Sequence, residues 1–166
     1  MRFESEYRIH GSPSAVAGIL ADPGFYARLK LPDLSQPDVL DQRTEGDTTV
    51  LRLRYLFLGS LHPVARRLLG KRQLAWIQEV KVNGVAGSGE ITFQAEADPK
   101  RLHGSAKFTL QPVTLQSGEP GTIQRLTGEL VVAVPVVGGR AEKQIVAGLQ
   151  RRLDIEAASL DELLSA

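Results

Sequence analysis

Three side chains with acid, base or amide chemistry fall on faces that the surrounding pattern reserves for apolar residues: Tyr55, Gln78 and Glu156. Residues 48–58 alternate, with Leu51, Leu53, Tyr55 and Phe57 on one side and Arg52 and Arg54 on the other. Residues 73–82 bring Leu74, Trp76, Gln78, Val80 and Val82 onto one face. An inward phenol or amide needs a hydrogen-bonding partner, either inside the protein or on a ligand, and Tyr7 on an earlier alternating run raises the same question. At about 100° per residue from Ile145, Glu156 lies near 20° and Glu142 near 60°, both within the arc of Ile145, Leu149 and Leu160. An unpaired buried carboxylate is costly. Glu156 therefore pairs with Arg152 four residues earlier, reaches solvent near the helix end, or holds the polar end of a ligand. Glu142, in the first turns, complements the helix dipole.

Other chemistries find little support. His10, His62 and His103 stand in unrelated contexts, without an H-E-x-x-H pair or carboxylates at ligand spacing, so no metal is expected and solvated histidines are the plainer reading. His10 should end a strand and His103 should point outward from one. There is no nucleophile elbow and no phosphate-binding loop. Gly138-Gly139 sits between a strand and a helix, where amides favour anions, yet a tight turn accounts for both glycines and the rest of a dinucleotide fingerprint is missing. No cofactor is expected. Arg66, Arg67, Lys71 and Arg72 beside Leu68 and Leu69 read as a solvated charged face, or as a cationic lid able to rest on acidic lipid.

Composition sets the outer bounds. A chain of 166 residues, 42% apolar and 23% charged, has the length of one domain with a real core, spanning 1–166. Twenty Lys and Arg against nineteen Asp and Glu leave +1, too little to draw in nucleic acid or an anionic membrane. Cysteine is absent, which excludes disulfides and thiolate metal sites. The start, Met1-Arg2-Phe3-Glu4, lacks the apolar core of a signal peptide, and no stretch approaches 18 apolar residues, so a cytoplasmic protein is expected.

The positioning elements follow from periodicity. Phe3, Ser5, Tyr7 and Ile9 share one face of a first strand. Ser12-Pro13 reads as a helix cap and first turn, with Val16, Ile19 and Leu20 as its apolar stripe; Asp22-Pro23 stops it, and Phe25, Tyr26 and Leu29 form a second short helix. Pro32 and Pro37 mark an irregular stretch. After the strands at 48–58 and 73–82, Ile91, Phe93 and Ala95 share a face, then Leu102, Ala106, Phe108 and Leu110, then Leu126, Leu130, Val132 and Val134 of a run over 122–134. Short turns between sequential strands predict an antiparallel meander. Residues 59–72 are too helix-like for a hairpin and predict a short helix.

From Gly139 onward about 25 residues carry a helical pattern, with Ala141, Ile145, Leu149, Leu153, Leu160 and Leu163 on one arc and Lys143, Gln150, Arg151, Asp154 and Asp161 opposite. At about 1.5 Å per residue this helix reaches roughly 38 Å, enough to cross six or seven strands about 4.8 Å apart.

This order, one strand, two short helices, an antiparallel run and a long final helix, resembles the START-like helix-grip superfamily, also called SRPBCC. More narrowly it is similar to a bacterial branch known as a domain of unknown function, number twenty-five-oh-five. The resemblance is carried by the first strand with Ser12-Pro13, by Ala21 to Phe25, Pro63 to Gly70 and Trp76, and by Val134 to Gly139 with Glu142-Lys143, over nearly the whole chain. It implies an α+β fold in which a curved antiparallel sheet grips the C-terminal helix on its concave face. It also implies a lipid, sterol, polyketide or quinone held between them, and it transfers no catalytic residue.

The expected ligand wall comprises Leu53, Tyr55 and Phe57, then Trp76, Gln78 and Phe93, then Phe108 and Leu130, with Ile145, Leu149, Leu153 and Glu156 from the helix. Two other readings stay open: a cyclase, aromatase or hydratase working through Tyr55, Gln78 or Glu156, and a filled-core protein acting through partners, for which Ala141, Gly148 and Ala157 allow close packing. The sparse catalytic groups point toward binding rather than catalysis.

Overall fold

The computed structural model describes residues 1–60, 63, 66, 67, 70–133 and 138–165. The element order is β1 (Arg2–His10), α1 (Pro13–Leu20), α2 (Pro23–Arg28), β2 (Asp38–Glu45), β3 (Thr48–Leu56), β4 (Ala75–Asn83), β5 (Ser88–Ala95), β6 (Leu102–Thr114), β7 (Pro120–Val132) and α3 (Gly138–Ser165). All seven strands form one antiparallel sheet in the order β1-β7-β6-β5-β4-β3-β2, a meander from β2 to β7 closed by β1 beside β7. The fold is the expected α+β helix-grip, a curved antiparallel sheet with two short N-terminal helices, α1 and α2, and the long C-terminal helix α3.

Local chemistry sets the helix limits. Ser12 Oγ accepts from Ala15 N at 3.1 Å, and Pro13 fills a first-turn position that needs no donor. Asp22 does the same for α2 by accepting from Gly24 N at 3.0 Å, so the dipeptide that stops one helix starts the next. The α3 helix is tied down at its start by Glu142, whose Oε1 accepts from Val132 N at 3.0 Å while Oε2 lies 3.5 Å from the Met1 ammonium. The Val132 amide, with the N-terminal charge behind it, holds this carboxyl below the usual range. Glu142 is thus a fastener between helix, sheet and N-terminus.

Three cross-strand pairs shape the concave face. Phe3 stands opposite Gly128, Phe108 opposite Gly89, and Phe93 opposite Gly104. At Gly89 an added Cβ would sit 2.1 Å from Phe108 Cζ and 2.4 Å from the Lys81 carbonyl oxygen, so the ring lies directly on bare backbone. Phe3, Phe108, Leu126 and Leu130 then join Leu51, Leu53, Tyr55 and Val80 in one buried cluster.

Two sequence readings change. Residues 38–45 are a strand rather than irregular chain; they form an exposed edge paired to β3 with a register shift between Val39 and Asp41, so they show no alternation to read. Leu163 is 51% exposed instead of packed inward, while Leu164 lies against Gly11, where a Cβ would meet its Cδ1 at 3.2 Å. The helix expected over 59–72 falls where residues 61, 62, 64, 65, 68 and 69 lie outside the described residues, as does Val134 of the last strand run. No described helix is long and apolar enough to cross a membrane.

Candidate functional site

The α3 helix comes closest to β1 and β7 and also approaches α1. What it sends toward the far strands is a side chain. Arg152 leaves the inner face of α3, and its Nη2 donates to the Tyr55 hydroxyl on β3 at 3.1 Å. The guanidinium carbon stands 4.6 Å from the centre of the Tyr55 ring, a cation–π arrangement, and that ring stacks on Trp76 of β4 at 5.8 Å and 24°. Arg152 is only 8% exposed and Tyr55 wholly buried.

Glu156, one turn further along the same face, is 5% exposed. It is largely shielded from solvent and does not form the expected contact pair: among the described residues no nitrogen of Arg152 comes within 4.0 Å of its carboxylate, because the guanidinium is committed to Tyr55. Burial pushes the Glu156 carboxyl above its ordinary value, and the positive charge of Arg152 pulls part of the way back. Tyr55 is likewise raised by burial against the pull of Arg152. Tyr26 of α2 closes this side of the interior; its hydroxyl donates to the Leu20 carbonyl at 2.8 Å, and burial, with Glu156 adding to it, raises the phenol well above its usual range.

Gln78, 5% exposed, sits opposite Leu53 on β3 and Phe93 on β5. Leu53, Phe108, Leu130 and Leu153 are buried in the apolar cluster, and Trp76, Phe93, Ile145 and Leu149 pack against it while partly exposed. Phe57 lies just past β3, bridged to Leu34, and stands outside that cluster. The structure therefore stacks Tyr55 on Trp76, buries Gln78 on the same strand as Trp76, and sets Glu156 near enough for its charge to act on Tyr55. The sequence reading passed over Arg152 as a ligand-facing group, although its wheel position near −20° was as anomalous as that of Glu156. It also passed over Gln124, 4% exposed and paired across strands with Tyr7 and Leu110.

Tyr7 belongs to a different place. Its hydroxyl donates to Asp154 Oδ1 at 2.7 Å, and burial, with that carboxylate, pushes the phenol up to about 12. Tyr7 and Asp154 line an open groove of about 480 Å³ with Glu6, Arg8, Ala157, Ala158 and Asp161 along the β1–α3 flank.

The histidines divide. His103 is exposed on β6, as expected, and His62 lies outside the described residues. His10 ends β1 but is no simple solvated group: Nδ1 is 2.6 Å from Asp161 Oδ1, which also accepts from the His10 amide at 2.8 Å, and Nε2 is 3.2 Å from Glu119. The Asp161 carboxylate holds the imidazolium above its ordinary value near 6.5, and the His10 amide hydrogen bond holds the Asp161 carboxyl below 3.8. A raised histidine contributes fully below its unfolded pKa and loses its contribution as pH rises through the higher folded one; a depressed aspartate contributes above its unfolded pKa and loses its contribution as pH falls through the lower folded one. The melting-temperature advantage of wild type over His10→Gln is therefore expected to be largest in the weakly acid range and to shrink as pH climbs above 6.5. Parallel melting curves for the two proteins across this range check it; a constant gap would assign the contact no proton linkage. Among the described residues no three His, Asp or Glu side chains converge as metal ligands.

A family model described as protein of unknown function (DUF2505) matches residues 4–164. The chain belongs to this family. No curated protein matches the sequence. Among solved structures, this DUF2505 member is similar to a protein of Thermus thermophilus at 17% identity, covering 99% of this chain and 97% of that one with a TM-score of 0.64. It is similar to the Zhui aromatase/cyclase of a Streptomyces species at 12% identity, 99% and 93% coverage and TM-score 0.62. A START superfamily protein of Mycobacterium smegmatis aligns at 13% identity, 98% coverage of each chain and TM-score 0.58. These likenesses establish the START-like fold.

Proposed function

We propose that this protein binds a small apolar or amphipathic molecule, of the lipid, sterol, polyketide or quinone class, between the concave sheet and α3, acting in the cytoplasm. The observation that carries the reading is the set of polar side chains kept inside an apolar face: Tyr55, Gln78, Arg152 and Glu156, each 8% exposed or less. An interior serving packing alone gains nothing from burying a carboxyl and a guanidinium without contact between them, since each loses its hydration. A ligand with an apolar body and one polar end gives both the apolar wall and these groups a use.

A second reading has a specific observation behind it. Glu156, with its carboxyl raised by burial, stands near Tyr55 and Arg152, and one structural neighbour is an aromatase/cyclase. The two are separated by experiment. Trp76, stacked on Tyr55, reports on the site. Titration with fatty acids, sterols and quinones is expected to shift its fluorescence and raise the melting temperature for at least one class, as native-state binding requires. With that ligand, Tyr55→Phe, Gln78→Leu and Glu156→Gln are each expected to weaken binding by about 1 to 3 kcal/mol with no product formed. Turnover abolished in one variant with affinity retained would establish the enzyme; silence of Trp76 and of the melting temperature across the panel would favour a filled core that acts through partners.

A further inference from the structure

The buried cation narrows the ligand. A guanidinium is a standing cation in proteins. The Nη2 of Arg152 is hydrogen-bonded to a neutral phenol and its face lies on the same ring. Neither contact neutralises the charge. Among the described residues no carboxylate lies within 4.0 Å of any of its nitrogens, and Nε and Nη1 have no hydrogen-bond acceptor. No completely enclosed side-chain nitrogen or oxygen is left without a partner among the described residues, so these two nitrogens keep accessible surface although the residue is 8% exposed. The same holds for the Glu156 oxygens one turn away.

Such an arrangement asks for an anion of limited size. We propose that Arg152 anchors an ionised carboxylate, so that the ligand is an apolar-bodied monocarboxylic acid whose carboxylate lies on the guanidinium fork beside Tyr55 and Glu156. This assignment rests on the pocket reading above. The planar fork matches two carboxylate oxygens. A sterol hydroxyl or a quinone carbonyl would leave the cation without a counter-charge, and a phosphate monoester would bring up to two negative charges to a site with one buried cation. Beside the carboxylate, Glu156 in its proton-bearing form donates a hydrogen bond.

The test is a head-group series on one chain: myristate, myristyl alcohol, methyl myristate and myristyl phosphate, titrated into wild type, Arg152→Gln and Arg152→Lys and followed by Trp76 fluorescence. Wild type is expected to bind myristate about ten- to a hundredfold more tightly than the alcohol or ester, the range of a charge-assisted hydrogen bond. Arg152→Gln should erase that preference and Arg152→Lys should keep part of it. Carboxyl-labelled myristate bound to wild type gives a readout independent of any variant's folding: its carbon-13 shift should titrate at lower pH than the free acid. Equal binding of acid, alcohol and ester, a preference that survives Arg152→Gln, or a bound carboxyl that titrates higher would each overturn the anchor and leave the pocket standing. Tighter binding of the phosphate would overturn the carboxylate assignment. If no member of the series binds, and the sterols and quinones also fail, the pocket reading itself falls.

Discussion

Leu160→Asp is expected to abolish cooperative unfolding or to shift the urea midpoint by most of its range. Leu160 is wholly buried on the inner face of α3, within the apolar cluster that the helices share with the inner face of the sheet. Truncating a buried leucine costs about 2–5 kcal/mol, and an unpaired carboxylate in the same place adds several more. A domain stability of about 5–15 kcal/mol leaves little after that. The control is three residues away. Leu163→Asp, at a position 51% exposed, should stay within about 0.5 kcal/mol of wild type. Both lie on one arc of a helical wheel, so the contrast tests the observed face rather than hydrophobicity in general. An unchanged midpoint for Leu160→Asp would turn the helix over.

Gly89→Val is the second large effect. The new Cβ would meet the Phe108 ring at 2.1 Å and the Lys81 carbonyl oxygen at 2.4 Å. Phe108 is 2% exposed and has no room to swing, and the carbonyl belongs to the strand beside it. Overpacking of this kind costs about 1–3 kcal/mol where side chains alone must yield, and a backbone neighbour pushes the cost to the top of that range or past it. Gly46→Asn is the comparison, since Gly46 sits in the β2–β3 turn at φ +61 with nothing near its Cβ position, and asparagine tolerates that conformation. Denaturation midpoints of the two variants should differ clearly; equal midpoints would mean that the Gly89–Phe108 contact places no demand on the sheet.

The contrast also marks where sequence reasoning stops. Strands with one buried face declared themselves through alternation, Ser12 declared a helix start and Asp22-Pro23 a helix stop, because these signals are local. The β2 strand gave no such signal, since an exposed edge needs no apolar side. The pairing of Phe3, Phe93 and Phe108 with glycines depends on register between strands and has no signature within one segment. His10 and Asp161 are 151 positions apart, and Arg152 meets Tyr55 across 97. The wheel placed Arg152 and Glu156 on one face; only the third dimension decides that the arginine turns toward a phenol rather than toward its neighbour. That choice leaves two ionisable groups inside without contact, the feature on which the binding account stands.

The most direct measurement of that account is a methyl and indole NMR titration of the folded protein with whichever fatty acid, sterol or quinone raises its melting temperature. Shifts are expected to concentrate on Leu53, Leu130, Leu153 and Trp76, the wall between sheet and α3, with those of exposed Leu58 and Leu163 unmoved. Shifts confined to the exposed leucines or to the outer β1–α3 groove would contradict an interior site.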